Sequence, residues 1–151
     1  MKIGVISDTH GLLRDEALAA LQGVEHILHA GDVGDAAILD ELRAIAPVTA
    51  IRGNVDTHGA CALLPATEMV SLAGISFYLV HSVHDLDLNA SAAGVRCVVC
   101  GHSHMPLIEE RRGVMYLNPG SAGPRRFALP VTVAHVFIDG EAMRAEIVEI
   151  L

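Results

Sequence analysis

Short apolar runs alternate with polar, turn-forming segments along the whole chain. In the first third, strand-like runs predict buried β-strands at residues 2–7, 26–30 and 48–51. Helical spacing between these runs predicts α-helices at residues 14–22 and 36–45. Asp35 stands where the second helix needs an N-cap. The resulting βαβαβ order predicts a parallel sheet with right-handed crossovers.

The rest of the chain is richer in strands. Hairpins are predicted for residues 68–72 with 75–80, 107–110 with 114–117, and 131–138 with 142–150. A further strand is predicted at 96–100, and a short helical piece at 91–93. Two mixed β-sheets stacked face to face with helices outside would accommodate these elements. We therefore expect an α/β fold in a single domain spanning residues 1–151.

The amino-acid composition adds expectations about the core, the binding partners and the cellular location of the protein. Hydrophobic residues make up 52% of the chain and aromatics only 3%, as suits a core of aliphatic strands and helix faces. The net charge is -8 and no basic run stands out, so no extended nucleic-acid surface is expected. No apolar run reaches the length of a membrane span and no signal-peptide pattern is found. These features predict a cytoplasmic protein without a membrane partner, whose three cysteines are buried, reduced thiols.

Polar residues with metal-binding side chains follow five of the predicted strands. They are Asp8, His10, Asp32, Asn54, His81, His102 and His104. Ligands in open sheets gather beyond the carboxyl ends of the strands, so these side chains are expected to meet. Two carboxylates, one amide and four imidazoles suffice for two metal ions if one carboxylate bridges them. This donor set suits transition metals such as Mn, Fe, Ni, Co or Zn better than Mg.

The motifs that carry these residues resemble those of the calcineurin-like metallophosphoesterase superfamily. In order, they are Asp-x-His, Gly-Asp-x-x-Asp, Gly-Asn-x-Asp, a single His, and Gly-His-x-His, with Asn118-Pro119-Gly120-Ser121 near the end. The short chain is similar to the small bacterial and archaeal phosphodiesterase branch, which also includes retromer subunits of the vacuolar protein sorting 29 type. The resemblance implies a four-layer α-β-β-α sandwich with two stacked mixed sheets.

The resemblance also implies roles for the seven residues. Asp8, His10 and His104 would hold a first metal ion, and Asn54, His81 and His102 a second. Asp32 would bridge the two ions. Mn is the favoured metal. A hydroxide held between the ions would attack phosphorus, so Asp32, Asn54 and His81 would also serve catalysis.

Two departures from the family pattern concern histidines. Gly53-Asn54-Val55-Asp56 has valine where many members have the histidine that protonates the leaving oxygen. His58 and His84 are the candidate replacements. His81 is followed by serine where glycine is usual, so either His81 binds metal normally or His84 competes for that role. We favour His81.

Asn54 is a candidate substrate contact as well as a candidate metal ligand, and the other candidate contacts lie close to the C-terminal hairpin. Gly120 and Ser121 form a turn whose N–H groups can face an anion, and the Arg125 and Arg126 guanidinium groups can bind phosphate oxygens. A solvated basic pair is the equally weighted alternative for the two arginines.

The function expected from these observations is hydrolysis of a small phosphodiester or nucleotide-like substrate by a dinuclear metal centre. The first alternative is a catalytically weak protein-interaction scaffold of the retromer-subunit type. The second is a phosphomonoesterase or cyclic-nucleotide phosphodiesterase, which shares the metal chemistry. The apolar C-terminal strands fit either a sheet interior or a subunit interface, so a homo-oligomer stays open.

Overall fold

The computed structural model describes residues 1–151 and contains ten strands and two α-helices. The first half comprises β1 (Lys2–Ile6), α1 (Asp15–Ala20), β2 (His26–His29), α2 (Ala36–Arg43), β3 (Val48–Ala50), β4 (Thr67–Leu72) and β5 (Ile75–Val80). The second half comprises β6 (Cys97–Val99), β7 (Leu107–Arg111), β8 (Val114–Asn118), β9 (Thr132–Asp139) and β10 (Ala142–Glu149). Short 3-10 turns lie at Ala60–Leu63 and Val83–Asp85.

The first sheet contains the βαβαβ unit that the sequence predicts. Its strand order is β10-β9-β1-β2-β3, with β1, β2 and β3 parallel. The β9–β10 hairpin returns from the far end of the chain and pairs antiparallel with β1. Strand β9 is almost wholly buried and β10 forms the edge. Asp35 caps α2 by accepting the Ala37 N–H at 2.9 Å, as predicted.

The second sheet has the order β4-β5-β6-β8-β7. Strands β5, β6 and β8 are parallel, and β4 and β7 pair antiparallel at the edges. The turns at Ala73-Gly74 and Arg112-Gly113 have positive φ at both residues, which matches the right-handed twist of a two-residue hairpin. All three predicted hairpins are confirmed.

The sheets stack face to face, which confirms the predicted fold class. Their facing sides share a dry cluster that includes Ile3, Leu28, Phe77 and Leu117. Helices α1 and α2 cover the outer side of the first sheet. The predicted helical piece at 91–93 is wrong, because residues 90–94 form hydrogen-bonded turns instead. These turns and the 3-10 turn at Val83–Asp85 form the fourth layer, where Val83, Leu86, Ala90 and Val95 cover the second sheet.

The thiols near β6 lie on opposite sides of the second sheet. Cys97 packs between the two sheets and Cys100 packs under the fourth layer, because residues three apart on a strand face opposite ways. Burial raises the pKa of both thiols, that of Cys100 to about 11. Neither α-helix is long or apolar enough to cross a membrane.

Candidate metal centre

Five parallel strands from the two sheets end at the same edge of the sandwich, and the loops that follow carry the predicted ligands. In the first sheet, β1 leads to Asp8 and His10, β2 to Asp32, and β3 to Asn54. In the second sheet, β5 leads to His81, and β6 leads to His102 and His104. The centre therefore lies across the seam between the sheets.

Backbone strain is concentrated in these loops. Eight residues other than glycine have positive φ. Five of them are predicted ligands: Asp8, His10, Asp32, His102 and His104. Such conformations cost about 1–3 kcal/mol each and persist where function requires them. Because most of these residues are predicted metal ligands, a functional origin for the strain at those five is supported.

Two motif glycines allow the loops to approach one another. A Cβ on Gly53 would lie 2.3 Å from Asp32 Oδ1, and one on Gly101 would lie 2.1 Å from Ser7 Oγ. Any side chain at either position would push apart the loops that carry the carboxylates. The glycines are thus required by the contact between loops.

The two carboxylates and three of the histidines form one tight cluster. Asp8 Oδ1 lies 3.6 Å from His10 Nε2 and 3.4 Å from His104 Nε2. Asp32 Oδ2 lies 3.3 Å from His10 Nε2 and 3.2 Å from His81 Nε2. The ligand atoms of Asp8, His10 and His104 form one group within 4.8 Å, and those of Asp8, Asp32 and His81 form another. The Asp8 carboxylate therefore lies between His10 and His104, and the Asp32 carboxylate lies between His10 and His81.

Buried polar atoms in this cluster lack hydrogen-bond partners. They are Asp8 Oδ1, His10 Nε2, His81 Nε2 and His104 Nδ1. Burying polar groups without partners is unfavourable, and native proteins rarely do so. Cations between these atoms would satisfy lone pairs of both carboxylate and imidazole. The residues present therefore fit divalent metal ions.

Each carboxylate is oriented through the oxygen that faces away from the cluster. Asp8 Oδ2 accepts the Ser7 hydroxyl at 2.7 Å and the His102 backbone N–H at 3.1 Å, which leaves Oδ1 for a metal. Asp32 Oδ1 accepts the Val55 N–H at 3.0 Å, which leaves Oδ2. Hydrogen bonds behind a ligand fix its orientation and tune its affinity for metal.

The His81 ring is oriented by the same principle. Its Nδ1 lies 2.7 Å from the Ala30 carbonyl oxygen, a contact that requires Nδ1–H to donate. Nε2 then carries the lone pair and points at Asp32 and Asp8. Among the two histidines considered for this position, the structure places His81 in the cluster and leaves His84 exposed.

Burial and neighbouring groups shift the pKa values of Asp32, His81 and His104. Burial acts to raise the pKa of Asp32, but the adjacent His81 ring and the Val55 N–H outweigh it, and the pKa is lowered. Burial acts to lower the pKa of His81, but Asp32 and the Ala30 carbonyl raise it on balance. Burial lowers the pKa of His104, assisted by the positive charge of Arg126.

Asn54 and His102 lie on the exposed side of the cluster. The His102 ring meets the His81 ring edge-on, with 5.3 Å between their centroids. Asn54 and His81 line one cavity of about 330 Å³. These two predicted ligands are therefore adjacent to the buried group rather than inside it.

The two candidate proton donors occupy different surroundings. His84 is exposed and lines a cavity of about 230 Å³ together with the predicted ligand His102. His58 is exposed on the loop after Asp56, where Thr57 Oγ1 lies 3.3 Å from its Nδ1. Only His84 shares a cavity with a predicted ligand.

The predicted substrate contacts separate into two groups. Gly120 is buried and donates its N–H to Asn118 Oδ1, and the buried Ser121 hydroxyl donates to the Asp8 carbonyl. Both residues thus have partners within the protein. Arg125 and Arg126 are exposed, and the charge of Arg126 reaches His104.

Sequence reasoning missed three buried residues that hold the loops in place. Asp56 accepts backbone N–H groups from Val33, Gly34 and Gly53 at 3.1, 2.9 and 2.8 Å. Asn118 donates to the Gly101 carbonyl and to Ser103 Oγ. His29 accepts the Gly31 N–H and contacts Thr9 Oγ1. Asp56 is the last residue of the Gly-Asn-x-Asp motif, and Asn118 is the first residue of Asn-Pro-Gly-Ser. Their positions in these motifs could have identified them as residues that support the site.

Comparison with known proteins points to one family. The calcineurin-like phosphoesterase superfamily domain matches residues 1–141. A probable metallophosphoesterase of Methanothermobacter thermautotrophicus is 34% identical over 160 aligned residues, covering 98% of this chain and 92% of the relative.

Solved structures extend the agreement to the fold. An archaeal phosphodiesterase superimposes with a TM-score of 0.76 at 23% identity, covering 98% of this chain and 100% of the other. Wild-type Vps29 of Entamoeba histolytica, complexed with Zn²⁺, gives a TM-score of 0.76 at 21% identity and covers both chains completely. At these identities the structural likeness establishes the fold alone.

Proposed function

Because the chain belongs to the calcineurin-like phosphoesterase superfamily, a metal-dependent family of hydrolases, we propose that it is a dinuclear metal-dependent phosphodiesterase. The observation that carries this proposal is the convergence of Asp8 Oδ1, His10 Nε2 and His81 Nε2, all buried and without hydrogen-bond partners. Cations would satisfy such atoms, and the edge that gathers them is where α/β folds bind ligands.

The proposed metal sites follow the two groups in the cluster. His10 and His104, on either side of Asp8, would hold one ion, and His81, His102 and Asn54 would hold the other. Asp32 would contact both ions, which its contacts with His10 and His81 support. Divalent ions at such sites lower the pKa of water and stabilise the charge that develops on phosphate oxygens. We favour Mn over Ni, Co, Fe or Zn.

The chain's own charges favour an anionic substrate at this site. Two buried carboxylates offset only half of the charge of two divalent ions, so the centre stays positive on a chain whose net charge is -8. Arg126 adds positive charge beside His104. A phosphate group would therefore be drawn to this edge of the sandwich.

His84 is the proposed proton donor. Hydrolysis bonds the oxygen of water to phosphorus and breaks the P–O bond to the leaving group, whose oxygen then takes a proton. Val55 cannot supply that proton, whereas His84 shares a cavity with His102. Gly120 and Ser121 are assigned a supporting role, because their polar groups already bond to Asn118 and Asp8.

A diester is the preferred substrate class because apolar surface lies next to the phosphate position. Val55 follows Asn54 directly and is 40% exposed, and Met105 follows His104 and is 57% exposed. A second ester group can pack against such side chains, whereas a monoester offers only charge on that side.

The test is hydrolysis of bis-p-nitrophenyl phosphate by chelator-stripped protein supplied with single metals. Mn, Ni, Co, Zn and Mg are compared, and the monoester p-nitrophenyl phosphate runs in parallel. We expect metal-dependent turnover that favours the diester. Asp32→Ala should abolish turnover and reduce bound metal, whereas Asp35→Ala, three residues away on the exposed N-cap, should retain both. Near-normal turnover by Asp32→Ala would refute the proposed mechanism.

The scaffold alternative rests on Val55 and on the fold shared with Vps29. It predicts no turnover with any metal even when two ions are bound per chain. The monoesterase alternative predicts that p-nitrophenyl phosphate is the better substrate, and the cyclic-nucleotide alternative predicts preferential hydrolysis of a cyclic diester. The same assay, extended to cyclic nucleotides, separates all of these.

A further inference from the structure

A cavity next to the metal centre has a largely apolar lining, whereas the centre itself is formed by carboxylates and histidines. It has a volume of about 230 Å³ and lies between the Val83–Asp85 turn and the loop at residues 101–107. His102 forms part of its wall, so the cavity adjoins the second proposed metal site. Val83, Met105, Pro106 and Leu107 give it an apolar lining.

Two of the exposed large hydrophobic residues of the chain line this cavity side by side. Met105 is 57% exposed and Leu107 is 45% exposed. Large apolar side chains left open beside a polar site commonly mark a surface that binds a ligand. Here the open surface adjoins the proposed position of the phosphate.

Two polar side chains of the wall, Asn118 and Ser103, are already engaged within the protein. Asn118 donates to the Gly101 carbonyl and to Ser103 Oγ, and its own oxygen accepts from Gly120. Ser103 Oγ also accepts the Met105 N–H at 3.1 Å. An apolar group could therefore displace water from this wall without leaving these donors and acceptors unpaired.

We propose that this cavity binds a planar aromatic group on the leaving side of the phosphodiester. A dry cavity of about 150 Å³ can hold benzene, so 230 Å³ accommodates a substituted aromatic ring. The exposed His84 lines the same cavity and is available to the leaving oxygen. This inference rests on the proposed function and narrows its substrate class to aromatic phosphodiesters.

The first test follows the Met105 methyl group by ¹³C NMR in protein loaded with Zn or Mg. Diphenyl phosphate should shift the Met105 signal through the ring current, and dimethyl phosphate should not. Met69, which is 45% exposed and lines a different cavity, is the internal control. This measurement needs neither turnover nor a substitution.

The second test compares Met105→Ala with Met69→Ala. Met105→Ala should raise the KM for bis-p-nitrophenyl phosphate by about tenfold, the lower end of the effect of removing apolar contact from a pocket. Met69→Ala should match the wild type, because its side chain lies on β4 in another cavity.

The outcomes distinguish this inference from the proposed function. Hydrolysis with no Met105 shift and an unchanged KM in Met105→Ala would overturn the inference and leave the phosphodiesterase proposal standing. A Met105 shift without turnover would support an aromatic-binding cavity and overturn the phosphodiesterase proposal. Absence of both would overturn both.

Discussion

Replacement of Asp56 by asparagine tests whether one carboxylate fixes the loops of the metal centre. Asp56 is 3% exposed and accepts three backbone N–H groups. Oδ2 takes those of Val33 and Gly53, and Oδ1 takes that of Gly34. An asparagine keeps one oxygen, so its NH₂ group must face at least one of these donors.

The expected loss follows from these contacts. A hydrogen bond to a charged acceptor contributes about 1.5–3 kcal/mol, and a neutral one about 1 kcal/mol. Asp56→Asn loses one such bond and weakens the other two, so we expect a destabilisation of about 3 kcal/mol. With a urea m-value of about 2 kcal/mol/M, the unfolding midpoint would fall by about 1.5 M.

The assay is equilibrium urea unfolding at neutral pH, combined with calorimetric titration of Mn. Asp32 and Asn54 sit on the loops that Asp56 joins, so metal affinity should fall by about tenfold or more. Asp35→Asn is the matched control, since asparagine and aspartate are equally good N-caps and stability should change by less than about 0.5 kcal/mol. An unchanged midpoint and metal affinity in Asp56→Asn would refute the reasoning.

Three further predictions follow from individual residues. Burial lowers the pKa of His29 to about 4, below its usual 6.5. Because the unfolded chain then binds a proton that the folded chain does not, metal-free protein should lose about 3 kcal/mol of stability as pH falls from 6.5 to 4. An NMR titration in which the His29 ring titrates near 6.5 would contradict this. Arg126→Ala should raise the pKa of His104 in metal-free protein, and Arg112→Ala, on the distant β7–β8 turn, should not. Cys100, whose pKa burial raises to about 11, should resist thiol reagents at pH 8 until urea unfolds the chain, and rapid labelling of folded protein would show that the site opens.

The sequence was sufficient wherever the signal lay within a few neighbouring residues. Alternating apolar runs predicted the strands, and the hairpin turns at Ala73-Gly74 and Arg112-Gly113 followed from local chemistry. The cap at Asp35 was equally local. The order of ligand-bearing motifs also predicted which residues would gather, because each follows the carboxyl end of a strand.

The short segment at 90–94 shows where local reasoning failed. Its composition allowed a helix, but the segment forms turns over the second sheet, with Ala90 and Val95 packed on it. Packing on that sheet selects the conformation, since a helix this short has little stability of its own.

Only the tertiary structure decided how the ligands are oriented and supported. The choice of His81 over His84 depends on the Ala30 carbonyl, 51 residues away. The burial of Ser121 against Asp8 depends on a contact across 113 residues. The sequence by itself determined most of the elements and the candidate ligands, because those depend on neighbours in the chain. The atoms that converge at the proposed metal sites were decided by the stacking of two sheets, whose contacts join residues that no local pattern links.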